Sequence, residues 1–259
     1  SPRAAPARGA GLTRSGLAVK TSDGLPLLAG RTRLKVCCIA SVDEARLAVA
    51  HGADALGLVS AMPSGPGVID DATVAAVAAR VPVPVATFLL TSRTDAPGLI
   101  AQAQAAGAGT LQLVDAVAPD ALAAVRSALP GVRLVQVIHV LDDASVEEAA
   151  AALPHVDALL LDSGNPRLAV KELGGTGRVH DWGLSRRVRD TAHAEGVPVF
   201  LAGGLRAENV GAAVAAVAPF GLDVCSGVRT DGRLDPAKLV AFAGALAAAD
   251  LAAGGELRG

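Results

Sequence analysis

From Leu34 onward, short apolar runs rich in β-branched residues alternate with Ala-rich helical stretches, and the alternation does not break. The runs LKVCCIA (34–40), ALGLVS (55–60), PVATFLL (84–90), TLQLVD (110–115), RLVQVIHV (133–140), ALLLDS (158–163), PVFLAG (198–203) and GLDVCSGV (221–228) read as eight strands. Helix starts are expected at Ser41 with Glu44 and at Ser145 with Glu148, both at capping-box spacing. Gly52, Gly131 and Gly196 mark helix ends. Eight successive βα units imply parallel strands, because each crossover helix returns the chain to the same end of the sheet.

GADALGL (52–58), GAGTLQL (107–113) and HVDALLL (155–161) each run from a helix end into a buried strand, and this weak repeat favours closure into one (β/α)8 barrel over 34–259. An open doubly wound sheet would carry a glycine fingerprint after its first strand, where this chain reads CCIASVDE. In a barrel, alternate side chains face the lumen or the helices. Lys35 is too costly beneath the helices, so Lys35 and Cys37 are expected in the lumen and Cys38 on the helix side. Asp223, on the strand that closes against the first, is expected to pair with Lys35.

Residues 1–33 are rich in Pro, Gly and Arg with no periodic apolar face, and read as a flexible extension. A formal charge of −2, no Tyr and one Trp argue against a nucleic-acid partner. Three cysteines, two of them adjacent, do not make a disulfide framework and suit a reducing, cytoplasmic setting. The uncharged stretch 96–114 contains Pro97, Gly98, Gly107 and three Gln, which do not suit a bilayer, so no membrane association is expected. The histidines lack ligand spacing, and neither a metal nor another cofactor is expected. Monomer and homodimer are equally compatible with the chain.

Barrel active sites lie at the C-terminal ends of the strands. There the seventh and eighth strands run into glycine-bearing turns, LAGGL and CSGV, whose backbone N–H groups at Gly203, Gly204, Ser226 and Gly227 could cradle a phosphate or simply permit tight turns. Cys37 and Asp162 end the first and sixth strands and could act as base and acid across the mouth, although a buried Cys is also an ordinary packing residue. His139 reads as a hydrogen-bonded strand-end histidine.

KVCCIA, GADALGLV, LQLVD, LLLDS, GGTGRVHDW (174–182), VFLAGGLRAENV (199–210) and DVCSGV (223–228) resemble, in order, the signatures of the phosphoribosylanthranilate isomerase family. The resemblance implies a small-molecule phosphoribosyl substrate and an Amadori rearrangement of an N-(5-phosphoribosyl) amine to a 1-amino-1-deoxyribulose 5-phosphate. It implies Asp162 as the acid at the ribose ring oxygen, Cys37 as the base at C2′, and phosphate binding at Gly203, Gly204, Ser226 and Gly227. The segment holding Gly174, Gly175, Thr176 and Gly177 corresponds to the active-site loop.

The departures fall on the amine half of the site. Gly67 stands where the family's S-P-R loop carries the Arg that engages the anthranilate carboxylate. Cys38 and Ala40 replace Gly and Thr, Val114 replaces His, His180 replaces Phe, and Cys225 and Arg229 replace Ser and Glu. Two further readings stay open on this ground: a different ring-opening reaction on a phosphoribosyl substrate lacking that carboxylate, and a non-catalytic phosphosugar-binding protein.

Overall fold

The computed structural model describes residues 18–20, 26–28, 31–63, 65–164 and 180–256. In the N-terminal stretch, β1 (Ala18–Lys20) and β2 (Pro26–Leu28) pair as a short antiparallel ribbon. The barrel strands are β3 (Arg33–Val36), β4 (Ala55–Val59), β5 (Ala86–Thr91), β6 (Thr110–Leu113), β7 (Arg133–His139), β8 (Ala158–Asp162), β9 (Val199–Leu201) and β10 (Gly221–Val224). Each is followed by a helix: α1 (Val42–Ala50), α2 (Asp71–Ala78), α3 (Ala96–Ala106), α4 (Pro119–Ala128), α5 (Ala144–Ala152), α6 (Trp182–Ala194), α7 (Val210–Val217) and α8 (Pro236–Glu256). A two-residue-per-strand hairpin, β11 (Arg229–Thr230) with β12 (Arg233–Leu234), leads from β10 into α8. All neighbouring barrel strands are parallel, and β10 pairs with both β9 and β3, so the sheet closes as a (β/α)8 barrel.

Strand alternation sorts the side chains into two layers. Leu56, Leu58, Leu111, Leu113, Ile138 and Leu161 are buried beneath the helices, whereas Val59, Phe88, Leu90, Val137, Leu160 and Phe200 fill the lumen. Phe88 and Phe200 meet edge to face at 5.8 Å, the arrangement their ring quadrupoles favour. Lys35 is fully buried in this lumen beside its register partner Asp223, Nζ to Oδ1 2.8 Å, as the parity argument requires.

Two local expectations change. Ser145 does not cap a helix; α5 begins at Ala144, with Asp143 at the cap position. The Ser145 hydroxyl instead accepts from the Leu141 N–H at 3.0 Å and donates to the His139 carbonyl at 3.1 Å, tying the β7–α5 turn together. The second change concerns Cys38. Regular pairing stops at Val36, and Cys38 has φ +62°, so alternation no longer applies and its side chain joins the lumen cluster rather than the helix layer.

Other signals act as read. Ser41 accepts from the Glu44 N–H at 3.2 Å while Glu44 accepts from the Ala40 N–H at 3.0 Å. By length and composition α8 could cross a membrane. Here it closes the βα series, packs on α7 and buries Leu239, Phe242 and Leu246 in the barrel's outer core.

Candidate active site

The C-terminal strand ends converge on one hollow lined by Cys37, Cys38, Asp162, Gly203, Gly204 and Ser226, among others. It adjoins a second hollow between the turns after β9 and β10, lined by Gly204, Arg206, Ser226, Gly227 and Lys238. The sequence candidates Cys37, Asp162, Gly203, Gly204, Ser226 and Gly227 are therefore brought to one mouth. Gly174, Gly175, Thr176 and Gly177 lie outside the described residues. Among the described residues no group of three His, Cys, Asp or Glu side chains is placed to hold a metal.

The glycines permit close backbone approach. A Cβ on Gly227 would fall 1.9 Å from the Leu205 carbonyl oxygen, so the two turns abut backbone to backbone. Gly203 has φ +86°, which favours glycine, and a Cβ there would meet Ser163 Oγ at 2.9 Å and His180 Nδ1 at 3.1 Å. His180, at the entry to α6, is anchored through Nε2 to Ser185 Oγ at 2.6 Å, and burial brings its pKa down to about 4. It is a neutral imidazole at physiological pH, facing the first of the two turns.

Asp162 ends β8 opposite His139 of β7. Burial disfavours its ionised form, while the Ser163 N–H and the charges of His139 and Lys35 favour it; the net effect raises the carboxyl above its ordinary value. His139 donates from Nε2 to the Val114 carbonyl at 3.1 Å, the orienting role expected of it.

Across the mouth, Cys37 follows β3, and its N–H donates to the Val224 carbonyl at 2.8 Å. Its sulfur and the Lys35 ammonium converge on Gly57, where an added Cβ would lie 2.7 Å from Sγ and 3.1 Å from Nζ. Burial opposes the Lys35 charge, but the charge and hydrogen bond of Asp223 outweigh it, and the lysine pKa is raised.

The residues that sequence reasoning placed only as substitutions form a connected frame. The Arg229 guanidinium contacts the Cys38 carbonyl, reaches the Cys37 carbonyl at 3.3 Å and pairs with Glu44 at 3.0 Å. Burial works against the Arg229 charge, but Glu44 outweighs it and its pKa is raised. Cys38 Sγ lies 2.7 Å from Cys225 Sγ. Gly67, with φ +76°, packs its backbone against Cys38, so that a Cβ would come within 2.5 Å of the Cys38 Cβ.

Residues 34–245 match the model of the N-(5'-phosphoribosyl)anthranilate (PRA) isomerase family. The chain belongs to that family. The PRA isomerase of Desulforudis audaxviator is 38% identical over 212 residues, covering 82% of this chain and 96% of its own length. That of Methanocella arvoryzae is 32% identical over 210 residues, covering 81% and 94%. The solved PRA isomerase of Thermus thermophilus superposes with a TM-score of 0.68 at 26% identity, covering 84% of this chain and 99% of the other. The Pyrococcus furiosus structure shares the fold, with a TM-score of 0.70 at 23% identity and coverage of 84% and 100%. The PRA isomerase family thus accounts for the barrel and for the order of its signatures, and the chain is an isomerase.

Proposed function

We propose that the barrel, residues 34–259, catalyses the Amadori rearrangement of N-(5'-phosphoribosyl)anthranilate, with its phosphate at the Gly203-Gly204 and Ser226-Gly227 turns. Asp162 donates a proton to the ribose ring oxygen, and the C1′–O bond breaks to leave a protonated imine. That iminium acidifies C2′, from which Cys37 takes the proton. The resulting enamine tautomerises to the 1-amino-1-deoxyribulose 5-phosphate. The observation that carries this reading is the pairing, in one hollow, of a carboxyl whose burial favours the protonated form with a thiol beside a lysine ammonium. Binding alone has no need of an acid matched to a base.

The test is conversion of N-(5'-phosphoribosyl)anthranilate to its aminodeoxyribulose product by the purified chain. No turnover by a folded protein that a phosphosugar still protects against melting would overturn the reading. Gly67 favours a second one, a phosphoribosyl amine lacking the carboxylate. Its positive φ and its contact with Cys38 leave no space for an arginine side chain at that place. Parallel assays with the anthranilate compound and with an amine lacking the carboxylate distinguish the two by their kcat/KM.

The close approach at Gly57 supplies a more local test. Gly57→Ala forces Cys37 Sγ and the Cys37 backbone to shift. A displacement of about 1 Å at a reacting group can cost roughly 100-fold, so kcat is expected to drop by about that factor. Overpacking of this kind costs roughly 1–3 kcal/mol in stability. Steady-state kinetics beside a thermal melt check both, and wild-type turnover in Gly57→Ala would count against Cys37 as the base.

A further inference from the structure

We propose that Cys38 and Cys225 are a thiol–disulfide site, able to form a reversible cross-link across the seam where the last barrel strand meets the first. Both are free thiols in the structure. Their sulfurs, 2.7 Å apart, are within roughly two-thirds of an ångström of the covalent S–S distance. Cys225 follows directly on the end of β10 and Cys38 lies two residues beyond the end of β3, with Val36 and Val224 in register and the Cys37 N–H bonded to the Val224 carbonyl at 2.8 Å. Nothing in the rearrangement uses either sulfur.

The approach is built in rather than incidental. Cys38 sits at φ +62°, a conformation that side chains other than glycine rarely adopt, and this turn carries its sulfur away from the helix layer and toward Cys225. Its backbone is held there from two sides. Arg229, itself fixed by Glu44, grips the carbonyls of Cys37 and Cys38, and the Gly67 backbone closes against the Cys38 Cβ. Cross-linking therefore requires little further ordering of the chain.

The two thiols also differ as oxidation chemistry requires. Cys225 is partly exposed, whereas Cys38 is buried. The contact between the two sulfurs raises the Cys38 thiol and, helped by Arg229 against the effect of burial, lowers Cys225. Cys225 is thus the accessible, thiolate-prone partner.

With hydrogen peroxide as oxidant, the Cys225 thiolate attacks one peroxide oxygen. An S–O bond forms, the O–O bond breaks, and the leaving oxygen takes a proton to become water. The Cys38 sulfur then attacks the Cys225 sulfenic sulfur, forming the S–S bond and expelling hydroxide, which leaves as a second water with the Cys38 proton. Two electrons pass from the thiol pair to the peroxide, and a dithiol reductant reverses the change by exchange. Because the two cysteines are 187 positions apart, the cross-link closes a very long loop in the unfolded chain.

The experiment treats the full chain with a small excess of hydrogen peroxide, blocks remaining thiols, and maps tryptic peptides by mass spectrometry without reduction. The expected result is a linked pair, residues 36–46 with residues 207–229, one of the three thiols left free, and recovery of all three with dithiothreitol. The link should persist in Cys37→Ser and vanish in Cys38→Ser and Cys225→Ser, and the oxidised wild type should melt about 5–10 °C higher. Three free thiols after treatment, or a link that survives in Cys38→Ser and so runs through Cys37, would overturn the proposal. None of these readouts uses turnover, so their failure is distinct from failure of the isomerase reading.

Discussion

Asp162→Asn is expected to lower kcat by about 10²–10⁴-fold, the usual worth of a positioned acid, while the protein melts no lower than wild type at pH 7. The two outcomes have one cause. Burial, the largest influence on this carboxyl, raises its folded-state pKa despite the Ser163 N–H and the charges of His139 and Lys35. For a carboxyl raised on folding, the fold is most favoured below the unfolded value near 3.9, and stability is lost as pH rises through the folded value. At neutral pH the asparagine variant is spared that loss, and its advantage should disappear in acid. The wild-type rate should also fall on the alkaline side as the acid loses its proton. Cys37→Ser should show a comparable kinetic loss. Full activity in either variant would remove that residue from the mechanism.

The βα order, the barrel and the Lys35–Asp223 pair were legible because each rests on a periodic constraint. A lysine on the lumen side of a strand must find a counter-charge, and the neighbouring strand offered one at the same level. The same parity failed at Cys38, because alternation is a property of extended backbone, and here the strand ends two residues earlier at Val36. A signal for this was present: the position is glycine in the family motif that KVCCIA resembles, and glycine is what a positive φ calls for. The reciprocal change at Gly67 was read only as a lost arginine. In the structure it is the space into which Cys38 packs, so the two substitutions compensate each other sterically. Arg229 and Glu44 were illegible as a pair because they are 185 positions apart and meet only through closure of the barrel. Ser145 misled for the opposite reason: its spacing to Glu148 fits a capping box, but its hydroxyl has nearer partners in the preceding turn.

Lys35→Met is expected to destabilise the protein by about 3–5 kcal/mol, the usual result of removing one member of a buried ion pair. Lys35 is fully buried, Asp223 nearly so, and their charged atoms lie 2.8 Å apart. The lysine stem crosses the lumen with its ammonium 5.3 Å from the centre of the Phe88 ring, a second site of attraction for the cation. Methionine can fill most of the same volume, so the loss reflects the uncompensated Asp223 carboxylate more than a cavity. The sign of the pH dependence is set by the raised lysine pKa. The lysine's contribution is complete below its unfolded value near 10.4 and is lost only as pH rises through the folded one, so the whole effect is present at neutral pH. At roughly 2–4 °C per kcal/mol for a chain of this size, the melting temperature should fall by about 6–20 °C. Replacing both charges, Lys35→Met with Asp223→Leu, should recover most of that loss, because an apolar pair needs no desolvation of ions. A single variant within about 1 kcal/mol of wild type by denaturant titration, or a double variant no more stable than the single, would show that the lumen pair does not carry the energetic role its burial implies.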